Sequence, residues 1–63
     1  MTVNTNRGKI TATPEVLNYI LQIAQYAADR YEEEGFIGIS ENVTEFSSEI
    51  YDALKLSGYY NKL

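Results

Sequence analysis

The chain has 63 residues, 44% of them hydrophobic and 13% aromatic, with a net charge of −4 and neither cysteine nor histidine. At this size a single core rarely supplies more than about 3–5 kcal/mol, and the composition excludes disulfides and the usual zinc, copper and haem ligands as reinforcement. The apolar content is too high for a disordered tail, no stretch approaches the roughly 18 uncharged apolar residues of a membrane span, and the expectation is one cytoplasmic domain that uses no cofactor.

Residues 1–12 have no helical period. Asn6-Arg7-Gly8 has turn chemistry, and Lys9–Ala12 reads as a short strand or part of an extended arm. A strand here could pair with residues 36–39, although two isolated strands of that length are marginal. The expected state of 1–12 is an extended N-terminal arm.

A helix over 14–34 follows. Thr13 is a good N-cap, Pro14 suits the first helical position, Glu15 complements the positive helix end, and Gly35 suits the position just past the C-cap. Val16, Leu17, Tyr19, Ile20, Leu21, Ile23, Ala24, Tyr26, Ala27, Ala28 and Tyr31 spread over roughly 220° of its circumference, whereas a one-sided surface helix needs little more than about 100°. That excess points to another chain. Leu17, Tyr19, Leu21, Ile23 and Tyr26, with Arg30, are therefore candidate interface residues. Tyrosine and arginine are favoured anchors because they bury area and keep a polar tip satisfied.

Phe36–Ile39 is an apolar connector. Asn42 followed by Glu45 matches a capping box, so a second helix is expected over 42–57. Val43, Phe46, Ile50, Ala53, Leu54 and Ser57 form its narrow apolar stripe. Glu41, Glu45, Glu49 and Asp52 form an acidic ridge on the other side, Gly58 stops the helix, and Tyr59-Tyr60 begins an aromatic tail that could fold back or dock on a neighbour. The predicted fold is all-α: an antiparallel helical hairpin with an extended N-terminal arm, dimerising into a helical bundle.

Gly38-Ile39-Ser40-Glu41-Asn42-Val43-Thr44 resembles the turn and the start of the recognition helix in helix-turn-helix proteins. That resemblance implies DNA binding, but the acids of this helix oppose phosphate and come before its first cation, Lys55. Catalysis is not expected. The carboxylates have no predicted cleft to separate their pKa values, the serines have no histidine, and no phosphate-loop motif is present. The expected function is a non-enzymatic protein-binding module with a regulatory or accessory role. The expected partners are a second copy and another protein, the acidic ridge favouring a basic one. Two alternatives are an acidic inhibitor of a nucleic-acid-binding protein, of the kind phages and mobile elements carry, and a divergent helix-turn-helix DNA binder. Glu41, Glu45, Glu49 and Asp52, and the Tyr59-Tyr60 pair, complete the candidate interface.

Overall fold

A computed structural model describes residues 1–62, the side chain of residue 62 excepted. Two short strands, β1 (Thr2–Thr5) and β2 (Gly8–Thr11), precede two long helices, α1 (Pro14–Glu33) and α2 (Ile37–Leu56), and a final 3₁₀ turn (Tyr59–Lys62). The helices pack against each other, so the helical hairpin expected from the sequence is present.

The N-terminus is not an extended arm. It is an antiparallel β-hairpin with Val3 opposite Ile10 and Thr5 opposite Gly8. Gly8 takes a φ of 122°, a conformation that glycine adopts without steric cost. At the open end the Met1 amino group donates to the Ala12 carbonyl at 2.9 Å, and the Ala12 amide donates back to Met1 at 3.0 Å. A free two-stranded hairpin would be marginal. This one is seated on the helices: Val3 is 2% exposed and joins the core, with Ile10 packed beside it. No strand pairs with residues 36–39, because α2 already occupies 37–39.

α1 starts as its sequence indicates, with Thr13 Oγ1 accepting from the Val16 amide at 3.2 Å. It ends in a Schellman motif, in which the Gly35 amide donates to Glu32 at 3.0 Å and the Phe36 amide donates to Tyr31 at 2.8 Å. Gly35 has φ 86°, and the Phe36 ring meets Tyr31 edge-on at 6.3 Å. This turn delivers the chain straight into a new helix. The Phe36 carbonyl accepts from the Ser40 amide at 2.9 Å, so α2 starts at Ile37 rather than at 42. No side chain caps that start. Asn42 lies inside the helix, and the Glu45 carboxylate that would have closed a capping box binds Asn6 instead.

The second helix runs back along the first. Ser40 Oγ donates to the Ala28 carbonyl at 2.8 Å near the loop, and Tyr60 Oη donates to Asn18 Oδ1 at 3.0 Å at the other end. Leu17, Leu21, Ile50 and Leu54 form the core with Val3. Toward the loop the buried positions become small, with Ala24 and Ala28 on α1 and Ser40 and Ser47 on α2. Small residues there let one side chain reach the backbone of the facing helix, as Ser40 does.

Candidate protein-binding surface

The broad apolar arc of α1 divides into two faces. Leu17, Leu21, Ala24 and Ala28 are buried inside the chain. Leu17 and Leu21 were candidate interface residues on sequence grounds, and the fold removes them from that role. The narrow stripe of α2 does not cover them alone. The β-hairpin adds Val3 and Ile10 to the same core, and the 3₁₀ turn adds Tyr59 and Tyr60.

The opposite face of α1 has no such cover. Val16 is 46% exposed, Tyr19 67%, Ile23 68% and Tyr26 69%. Steps of three, four and three residues separate them, the a/d spacing of a heptad seam, and Arg30 continues the row four residues on. Arg30 is itself exposed, with loose ion pairs to Glu33 at 4.0 Å and Glu34 at 3.9 Å. Such solvated pairs hold a side chain weakly.

The acidic residues of α2 do not form one solvated ridge. Glu49 Oε2 accepts the Asn6 backbone amide at 2.8 Å, and Glu45 Oε1 accepts the Asn6 side-chain amide. The other Glu49 oxygen is buried and accepts no hydrogen bond among the described residues. These two carboxylates hold the tip of the β-hairpin. Glu41, Asp52 and most of Glu45 remain exposed, and Glu49 alone is partly buried. The expectation of a single acidic surface fails because one residue, Asn6, 43 positions from Glu49 and 39 from Glu45, comes back to meet it.

The aromatic tail folds back. Tyr60 lies tilted against Tyr51 at 5.4 Å and edge-on to Tyr59 at 5.3 Å, and both tail tyrosines are half-buried against the core. Burial, and then the neighbouring Tyr51 and Tyr59 phenols, raise the pKa of Tyr60 above 10.0. Leu63, the last residue of that tail, lies outside the described residues.

Two further surface features lie outside the residues that the sequence marked as candidate interface. A shallow groove of about 330 Å³ lies between the hairpin tip and α2, lined by Arg7, Ile39, Asn42, Val43 and Phe46. Around the interhelical turn, Phe36, Ile37 and Ile39 are about half exposed. The segment Gly38–Thr44 lies wholly within α2, and Gly38 has no left-handed backbone, so the turn of a helix-turn-helix is not found there.

No described helix is long and apolar enough to cross a membrane. Against known protein families, curated proteins and solved structures, the chain finds no match.

Proposed function

We propose that this chain is a small, non-enzymatic protein-binding module with a regulatory or accessory role, and that it pairs with itself through the outer face of α1. The supporting observation is the exposed row Val16, Tyr19, Ile23 and Tyr26 on a helix whose other side is already packed. Apolar area left in water forgoes about 25 cal/mol per Å², and soluble monomers seldom carry a contiguous apolar patch larger than a few hundred Å². Two-fold pairing covers the row on both copies at once and stacks two helical hairpins into a four-helix arrangement. The tyrosines suit this role, since each buries a ring while its hydroxyl stays at the wet rim.

Sedimentation equilibrium from micromolar to millimolar concentration tests the reading. The wild-type chain should approach twice its 7.2 kDa mass. Ile23→Glu should stay monomeric with an unchanged helical circular-dichroism spectrum, because position 23 makes little contact within its own chain. A folded wild-type chain that remains monomeric throughout overturns the proposal.

A further inference from the structure

We infer that the second copy lies antiparallel along α1, in the register that sets Val16 of one copy against Tyr26 of the other and Tyr19 against Ile23. The inference rests on the self-pairing proposed above and specifies its geometry. The exposed row repeats with the 3.5-residue period of a left-handed two-helix seam, so a partner helix of the same spacing, wound gently about it, follows it along its length.

Shape selects the orientation. In the antiparallel register every layer pairs one tyrosine with one aliphatic side chain, and the seam keeps an even thickness. A parallel, in-register pair would stack Tyr19 on Tyr19 and Tyr26 on Tyr26 between thin layers of Val16 and Ile23. Side chains pack to near-crystalline density only where facing volumes are matched.

Charge selects the same orientation. The C-terminal end of α1 carries Asp29, Arg30, Glu32 and Glu33, with Glu34 at its C-cap. A parallel pair would bring both of these acidic ends together, beside the negative ends of both helix dipoles. The antiparallel pair sets each acidic end beside the other copy's N-terminal turn, where the dipole is positive. Arg30 then comes within reach of Glu15 of the other copy. Its present contacts to Glu33 and Glu34 are long and solvated, so exchanging them costs little.

The absence of cysteine makes the geometry directly testable. Val16→Cys and Tyr26→Cys are each prepared alone and then mixed in equal amounts under mild oxidation. The bridge closes only where Cα atoms come within about 7 Å. The mixture should give the mixed disulfide at least tenfold over either homodisulfide, and adding Ile23→Glu to both should abolish it. Separately, Glu15→Arg and Arg30→Glu should each weaken the wild-type association at least threefold, and the double variant should return to within twofold. Homodisulfides from either single-cysteine variant alone would overturn the antiparallel register. So would a wild-type dimer without the mixed disulfide, or a double charge swap that fails to restore pairing; in these three outcomes self-pairing still stands. A wild-type monomer overturns both.

Discussion

Asn6 shows how one side chain ties distant parts of this fold together. Its backbone amide and its side-chain amide are both held by α2, through Glu49 and Glu45. Hydrogen bonds to carboxylates are worth about 1.5–3 kcal/mol when sheltered and less when solvated. Glu49→Ala should therefore cost about 1 kcal/mol and loosen the hairpin before the helices. Amide exchange checks this: Asn6 should lose roughly tenfold in protection while amides near Ile50 and Leu54 change far less. Equal loss at both sites would mean that the hairpin and helices open as one unit. Tyr60 supports a second expectation. Its folded pKa is raised, first by burial and then by Tyr51 and Tyr59. The folded chain thus holds this proton more tightly than the unfolded chain, and unfolding above about pH 10 releases it. The stability linked to Tyr60 is complete below that pH and is lost as pH rises through the raised value. Ionisation also removes the proton that Tyr60 donates to Asn18. Tyr60 should titrate late in the ultraviolet, and Tyr60→Phe should remove that late component.

The turn between the helices is decided by backbone conformation rather than by packing. A Cβ placed on Gly35 meets nothing within 4 Å, yet φ is 86°. Gly35→Ala should therefore cost about 1–2 kcal/mol purely from left-handed strain, seen in urea unfolding as a lower midpoint with an unchanged slope. Thr13→Ala removes the acceptor for the Val16 amide and should cost about 1 kcal/mol by the same measurement. Both ends of α1 were readable from the sequence for this reason: cap and stop act within a few residues of themselves. The start of α2 was not. Asn42 and Glu45 satisfy a local pattern, but the Schellman turn already places Phe36 at the N-cap and Ile37 in the helix, and Asn6 draws Glu45 away. The turn chemistry of Asn6-Arg7-Gly8 was also recognisable, while the strand partner was not: the sequence offered only residues 36–39 to Lys9–Ala12, and the partner is Thr2–Thr5, whose Val3 docks in the core.

Among the described residues seven apolar side chains are buried, Ile50 and Leu54 with no exposure at all. Ile50→Ala should cost about 2–5 kcal/mol, comparable with everything a core of this size supplies, and should abolish cooperative thermal unfolding in dilute solution. Association would add stability that grows with concentration. The melting temperature of the wild-type chain should therefore climb between 10 µM and 1 mM, by several degrees (a domain this small shifts by about 4–8 °C per kcal/mol), while Ile23→Glu should melt at one temperature throughout. The amino-acid sequence was enough to establish two helices, the cap and stop of the first, a turn at Asn6-Arg7-Gly8 and a surplus of apolar surface on α1. Each of these follows from periodicity or from interactions between near neighbours in the chain. Which part of that surplus is covered was settled by folding. Val3, Ile10, Tyr59 and Tyr60 come from both ends of the chain to complete the core that holds Leu17, Leu21, Ile50 and Leu54, and Asn6 takes up two of the four carboxylates of the acidic helix. The Asn6 and Tyr60 hydrogen bonds join residues some 40 positions apart, and no local pattern encodes them, because the free energy that selects them appears only when all the elements pack at once.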